Sequence, residues 1–178
     1  DTTSTYLVTT TGTVTAATPT TLTDNSAPFN GVNTYQYDTR LFLVPFAEAQ
    51  RSIILSVPGP LRVVAYRRFM IRIAEAIAKR EGARALVTGE SLGQVGSQTL
   101  INMATVDEAA KMPVLRPLVG MDKQEIIEQA MDIGTFETSI LPDEDCCTLF
   151  TPKHPATKAR TGQVDAAEQG LEVQLLVD

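Results

Sequence analysis

Apolar and polar positions follow two different patterns along the chain, and the change falls near residue 40. Before that point, stretches such as TGTVTAATPTTLT favour extended or β structure, because β-branched Thr and Val restrict the helical conformation. After it, short apolar runs alternate with segments of helical periodicity. We therefore predict two parts: a Thr-rich segment over residues 1–40 and an α/β domain over residues 41–178.

The clearest helical pattern runs over residues 61–80. Phe69, Ile73 and Ile77 lie four positions apart and so share one helix face. Gly82 follows the pattern at the position where glycine commonly ends a helix. We therefore predict a long helix there, with its apolar face in the core.

Three apolar runs have strand length, and further helical segments separate them. The runs are LFLVPF, ARALVTG and MPVLRPLV, and the helical segments are AEAQRSIILSV, VGSQTLINMATVDEAA and MDKQEIIEQAMDIG. In the last segment Asp122 is placed to cap the helix and Gly134 to end it. Alternating strands and helices predict the α/β class, a parallel sheet with helices on both faces and ligands at the carboxyl ends of the strands.

Composition narrows the class of protein. The chain has 178 residues and a formal net charge of −6, so an RNA contact would have to be local. No apolar run reaches membrane-spanning length, and the amino terminus lacks a signal-peptide pattern. We therefore expect a soluble, cytoplasmic protein with no membrane partner.

The stretch TGESLGQVGSQT follows the second apolar run and precedes a helical segment. Gly89 stands at the expected end of the strand, where backbone can approach a ligand closely. Ser and Gln side chains of this loop could bond a base or ribose, and the next helix N-terminus could favour an anion. The alternative is a simple turn whose Ser and Gln cap the helix.

The stretch YRRFMIR places Arg67, Arg68 and Arg72 close together on the long helix. Guanidinium groups suit recognition of phosphate, from a nucleotide or from RNA. The alternative is a solvated helix face.

The segment PDEDCCTLFTPKHP contains the only two cysteines, Cys146 and Cys147. A bridge between neighbours in sequence would be strained, so we expect free thiols, one of which could serve as nucleophile or sulfur carrier. Two buried, inert cysteines are the alternative. Together with His154 the pair falls short of a tetrahedral zinc set, and we predict no metal site.

Three segments together resemble a known family. RRFMIRIAEAIAKREGARALVTGESLGQVGSQTL, PVLRPLVGMDKQEII and ILPDEDCCTLFTPKHPATKAR, in this order, closely resemble the catalytic domain of the tRNA 4-thiouridine synthetases, or tRNA sulfurtransferases. The resemblance runs from about residue 41 to the carboxyl terminus. It implies an adenine-nucleotide α-hydrolase-like ATP-pyrophosphatase fold that adenylates a tRNA uridine, releases pyrophosphate and delivers sulfur from a persulfide. Sulfur supply for the thiazole of thiamine is a further implied role.

The resemblance also implies roles for individual residues. Arg67, Gly89 and Gln98 would contact ATP, with Mg²⁺ screening the triphosphate. Cys146 would be the persulfide or disulfide-forming thiol, with Cys147 as the alternative. The implied partners are tRNA and a persulfide donor such as a cysteine desulfurase, and a homodimer is a candidate assembly.

One family motif does not occur. The family's phosphate-binding S-G-G-x-D-S loop is absent from the sequence, and residues 1–40 stand in its place as a fusion, an artefact or edge-strand material. This difference keeps a second hypothesis open, a non-catalytic module that binds a nucleotide or a protein. A third is an adenylating enzyme of the same fold that acts on a carboxylate or another base.

Overall fold

The computed structural model describes residues 4–5, 20–22, 39–42, 44–141, 152 and 154–173. In chain order the elements are β1 (Ser4–Thr5), β2 (Thr20–Leu22), β3 (Thr39–Leu41), α1 (Ala47–Ser56), a 3₁₀ turn (Gly59–Leu61), α2 (Arg62–Arg80), β4 (Leu86–Val87), α3 (Leu100–Asp107), β5 (Val114–Leu115), α4 (Lys123–Asp132), α5 (Phe136–Ser139) and α6 (Thr161–Glu168).

Two small sheets form among these residues. In one, β3 lies between β1, which is parallel to it, and β2, which is antiparallel. In the other, β4 and β5 are parallel, with Leu86 opposite Val114 and Val87 opposite Leu115. Because α3 connects β4 to β5, this pair is a β-α-β unit. The predicted α/β class with parallel strands is confirmed.

Two predicted elements differ from the observed ones. Among the described residues of the run LFLVPF, only Leu41 belongs to a strand, because Pro45 has no N–H for a ladder and buried Phe46 leads directly into α1. The helix predicted from residue 95 begins only at Leu100, since the hydroxyl of Thr99 accepts the N–H of Asn102 and caps it there.

The helix α2 begins and ends as its sequence predicts. The 3₁₀ turn with Pro60 precedes it. At its other end Gly82 has a φ of 74°, and the N–H of Ala83 bonds the carbonyl of Ala78 at 2.8 Å. This is a Schellman ending, which requires a left-handed residue and so favours glycine.

Within the described part of the chain two apolar clusters form the core, and α2 contributes to both. On one side Phe69 and Ile73 pack against α1, and on the other Ala74 and Ala78 pack against β4, α3 and α6. The fully buried residues around the helix include Ile53, Val64, Ala65, Phe69, Val106, Ala159 and Val164. Because these elements pack against two sides of α2, this helix sets the positions of α1, β4, α3 and α6.

Charged groups also bind α6 to α2. Arg68 is only 4% exposed, and its guanidinium donates to Glu168 at 3.1 Å, to Asp165 at 2.5 Å and to the carbonyl of Thr105 at 2.9 Å. Arg72 donates to the second oxygen of Glu168 at 2.6 Å. Both interpretations of Arg68 from sequence are therefore wrong: it is neither exposed nor free for phosphate, since a buried ion pair occupies it.

Glu75, in the middle of α2, positions the segment before β5. Its buried carboxylate accepts a hydrogen bond from the ammonium of Lys79. It also accepts hydrogen bonds from the backbone N–H groups of Lys111 at 2.5 Å and Met112 at 3.2 Å. Burial alone would raise the pKa of Glu75, but these hydrogen bonds outweigh it and lower the pKa below its ordinary value. The ionised carboxylate therefore stabilises the fold.

Replacing Glu75 tests this contribution. We expect Glu75→Gln to lower the free energy of unfolding by about 1–3 kcal/mol at neutral pH, because the charge-assisted bonds are lost. Because the pKa of Glu75 is lower in the folded than in the unfolded chain, the stabilisation that its carboxylate contributes is complete above the unfolded-state pKa. This contribution is lost as pH falls through the folded-state pKa. The difference between native and variant should therefore shrink below about pH 4.

Urea unfolding followed by circular dichroism at neutral and acid pH measures both effects. The matched control is Glu172→Gln, at an exposed carboxylate, which should change stability by less than about 0.5 kcal/mol. A loss for Glu75→Gln that is the same at both pH values would contradict the assignment.

Candidate functional site

Two loops meet at the carboxyl ends of β4 and β5. The hydroxyl of Ser91, in the loop after β4, donates to the carbonyl of Met121 at 2.7 Å, and the N–H of Leu92 bonds the carbonyl of Val119 at 3.1 Å. Ligands of parallel sheets bind at this edge. The loop over residues 88–99, called the glycine loop below, therefore lies where the sequence predicts a site.

The glycine loop closes on itself. Gly93 has a φ of 78°, and its N–H bonds the carbonyl of Gln98 at 2.9 Å. At Gly89 the φ is ordinary, and an added Cβ would meet no atom of the described residues within 4 Å. This part of the chain thus gives no steric reason for glycine there and leaves the space beside Gly89 open to a ligand.

Gln98 carries an unpaired polar atom. Its side-chain oxygen Oε1 is buried and has no hydrogen-bond partner among the described residues. An unpaired buried oxygen costs about 1–3 kcal/mol, which a donor group on a ligand would recover. The capping role considered for Ser and Gln belongs instead to Thr99.

Glu90 is the centre of a charged network beneath the loop. One carboxylate oxygen accepts a hydrogen bond from the guanidinium of Arg67 in α2. The other accepts hydrogen bonds from the Nε of Arg116 at 2.6 Å and from the hydroxyl of Thr88 at 3.0 Å. The guanidinium of Arg116 also pairs with Asp107. The ion pair holds the guanidinium of Arg67 against Glu90, the residue that follows Gly89. Arg67 and Gly89, two of the predicted ATP contacts, therefore lie close together.

Sequence reasoning did not identify Glu90, Arg116 or Asp107. Burial alone would lower the pKa of Arg116, but the carboxylates of Asp107 and Glu90 outweigh it and raise the pKa above its ordinary value. The sequence did contain a signal for the contact between Glu90 and Arg116. Both residues follow predicted parallel strands, whose carboxyl ends meet at one edge of the sheet.

Asn102 joins the glycine loop to the segment that follows the cysteine pair in sequence. Its side chain has no exposed surface. The amide nitrogen donates to the carbonyls of Gly96 at 2.9 Å and Ala156 at 2.7 Å, and the amide oxygen accepts the N–H of Ala159 at 2.8 Å. One buried side chain therefore holds both parts together.

The sequence model described as "Thiamine biosynthesis protein (ThiI)" matches residues 12–173 of the chain. The chain belongs to the ThiI family. The family predicted from the three sequence segments is thereby confirmed, while the boundary at residue 40 stays a prediction.

Named relatives agree with this family. The chain is 59% identical over 143 residues to a probable tRNA sulfurtransferase of Thermus thermophilus, covering 80% of this chain and 35% of that protein. It is 53% identical to the probable tRNA sulfurtransferase of Moorella thermoacetica, covering 80% and 37%. The chain thus spans about a third of the length of these ThiI-family relatives.

A solved structure has the same fold. It is a 4-thiouridine synthetase in complex with RNA and with bound ATP, and it superposes with a TM-score of 0.74 at 43% identity. The match covers 78% of this chain and 36% of that one. The predicted adenine-nucleotide α-hydrolase-like fold is confirmed.

Of the predicted site residues, Arg67, Gly89 and Gln98 belong to or adjoin the glycine loop of this ThiI-family chain. Cys146 and Cys147 lie outside the described residues, so their predicted role stays a prediction. Within the described part of the chain, no three His, Cys, Asp or Glu side chains are grouped so that they could hold a metal ion. No helix in that part is long and apolar enough to cross a membrane.

The Glu90 network yields a stability prediction. Glu90→Ala leaves the guanidiniums of Arg67 and Arg116 without their shared carboxylate at largely buried positions, so we expect a loss of about 2–4 kcal/mol in the free energy of unfolding. Adding Arg116→Met should recover part of this loss, because it removes a buried guanidinium that would keep Asp107 as its carboxylate partner but lose Glu90.

Urea unfolding of the single and double variants measures the coupling. Glu108→Ala, at an exposed carboxylate at the end of α3, is the control and should stay within about 0.5 kcal/mol of the native chain. If Glu90→Ala costs no more than this control, Glu90 does not organise the loop.

Proposed function

We propose that this chain is the nucleotide- and sulfur-handling part of a tRNA sulfurtransferase that forms 4-thiouridine. The names of its relatives and the ATP and RNA of the similar synthetase support the assignment. The observation that carries it is the buried, unpaired Oε1 of Gln98 in the loop that also leaves the space beside Gly89 open.

The residues of the glycine loop fit an adenine nucleotide. Gln98 would accept a hydrogen bond from the adenine amino group or a ribose hydroxyl, and Gly89 would let the backbone approach the ligand. Arg67, oriented by Glu90, would contribute positive charge. Leu100 begins α3 directly after the loop, and the N–H groups at that helix end favour an anion.

The chemistry follows from this placement. ATP would supply an adenylyl group that turns the uridine carbonyl oxygen into a leaving group, and Mg²⁺ carried by the phosphates would screen their charge. The thiol of Cys146, or of Cys147, carries the sulfur as a persulfide. The terminal sulfur attacks the activated ring carbon, a carbon–sulfur bond forms and the carbon–oxygen bond to AMP breaks. A second protein thiol then attacks the cysteine sulfur of the resulting disulfide, so that the sulfur–sulfur bond breaks, 4-thiouridine leaves and a protein disulfide forms.

Partners complete the proposal. The substrate is a tRNA, the persulfide comes from a donor such as a cysteine desulfurase, and the chain works as a homodimer in the cytoplasm. The same persulfide would serve for the thiazole of thiamine, which agrees with the description of the family.

The other candidate from the sequence is a non-catalytic nucleotide-binding or protein-binding module, which the names of the relatives and the similar synthetase do not favour. The two functions differ in pyrophosphate release, because only the enzyme cleaves ATP.

Gln98→Ala tests the nucleotide site. We expect its Kd for ATP, measured by calorimetric titration, to rise about tenfold, since one hydrogen bond to a buried acceptor is lost. Gln124→Ala, at an exposed glutamine of α4, is the matched control and should bind as the native chain does. No binding of millimolar ATP by the native chain would exclude the enzyme, and binding without tRNA-dependent pyrophosphate release would favour the module.

Cys146→Ser tests the sulfur carrier. We expect the variant to lose thiolation of tRNA completely while ATP-dependent pyrophosphate release continues, because adenylation does not need the thiol. The two products are measured separately, by the absorbance of thiouridine and by a pyrophosphate assay. Cys147→Ser is the matched variant, and thiolation that persists in Cys146→Ser but not in Cys147→Ser would transfer the role to Cys147.

A further inference from the structure

A run of basic residues follows the cysteine pair, in a chain whose net charge is −6. The sequence from residue 146 to residue 164 contains no Asp or Glu, and it includes His154, Lys158 and Arg160. All three of these side chains are exposed. We call residues 154–160 the basic strip.

The backbone of the basic strip is held firmly. The N–H of Ala156 bonds the carbonyl of Pro60 at 2.8 Å, and the N–H of Ala159 bonds the buried side chain of Asn102 at 2.8 Å. The hydroxyl of Thr105 donates to the carbonyl of Ala159 at 2.7 Å. Because the strip is fixed in this way, its cationic side chains extend from an ordered support.

The charges of Lys158 and Arg160 are not neutralised by any ion pair within the described part of the chain. The ion pairs found there use Arg67, Arg68, Arg72, Lys79, Arg80 and Arg116 as cations. His154, Lys158 and Arg160 take part in none of them. Arg68 and Arg72 of α2 thus serve the architecture, whereas the strip presents its charge to solvent.

The basic strip lies beside the glycine loop. A Cβ built on Gly96 would meet Pro155 and Thr157 at 3.7 Å, and the hydroxyl of Thr99 donates to the carbonyl of Thr157 at 2.7 Å. A polyanion that crosses the strip would therefore run directly alongside the loop that carries Gln98.

We propose that the basic strip binds the phosphate backbone of the substrate RNA and aligns it beside the glycine loop. This inference rests on the proposed function. Ammonium and guanidinium groups suit phosphates, and a fixed backbone reduces the entropy lost on binding. Contacts of this kind position a nucleic acid without reading its sequence.

The test is a charge-neutralising pair of substitutions, Lys158→Gln with Arg160→Gln, in the full chain. The matched control is Arg84→Gln with Lys111→Gln, which removes two charges that are also exposed, at residues that precede β4 and β5 and so lie at the opposite edge of the sheet. The probe is an unmodified tRNA transcript, with its Kd measured by fluorescence anisotropy at several salt concentrations.

We expect the strip variant to bind the transcript about 5- to 30-fold more weakly at low salt, and the slope of log affinity against log salt to fall by about 1–2. The control pair should bind like the native chain, and the Kd for ATP should stay unchanged in both variants. A strip variant that binds as tightly as the control pair would overturn the proposal.

Two other outcomes would also overturn it. One is that the native chain does not bind the transcript at low salt. The other is that polyglutamate displaces the transcript as effectively as unlabelled tRNA does, which would indicate an acidic protein as the partner. Because ATP binding is measured separately, neither result alters the conclusion about the nucleotide site.

Discussion

The buried amide of Asn102 is the interaction on which the rest of the site depends. It bonds Gly96 of the glycine loop, Ala156 and Ala159, which the sequence places more than fifty residues apart from the loop. Each of its bonds contributes on the order of 1 kcal/mol, but removing the amide would leave several buried backbone groups unpaired, which costs more. The geometry of the glycine loop and that of the segment after the cysteine pair are therefore set by the same side chain.

Charges in the described part of the chain divide into two groups with different functions. Arg68 and Arg116 are buried against carboxylates, where they connect elements that are distant in sequence. Lys158 and Arg160 stay exposed on a backbone that α3 holds in place. A protein with a net negative charge can in this way present a local positive surface, while its other cations support the fold.

Local signals in the sequence predicted the elements well and the site only in part. The span of α2 and the helix ends at Gly82, Asp122 and Gly134 were predictable because caps depend on neighbouring residues. Contacts between distant segments were not predictable in this way. Arg68 and Glu168 are 100 positions apart, and no periodicity in the sequence indicates such a pair. Arg67, Gly89 and Gln98 came from resemblance to a family, whereas the Glu90 network that orients Arg67 required coordinates.

Amide hydrogen exchange in the native chain and in Asn102→Ala tests the central claim most directly. If Asn102 holds the two segments together, the N–H of Ala159 should exchange slowly in the native chain and about 100-fold faster in the variant. The N–H of Val57, which bonds Ile53 in the cluster on the other side of α2, should keep its rate in both and so report that the fold persists. Equal exchange of Ala159 in the two proteins would contradict the account.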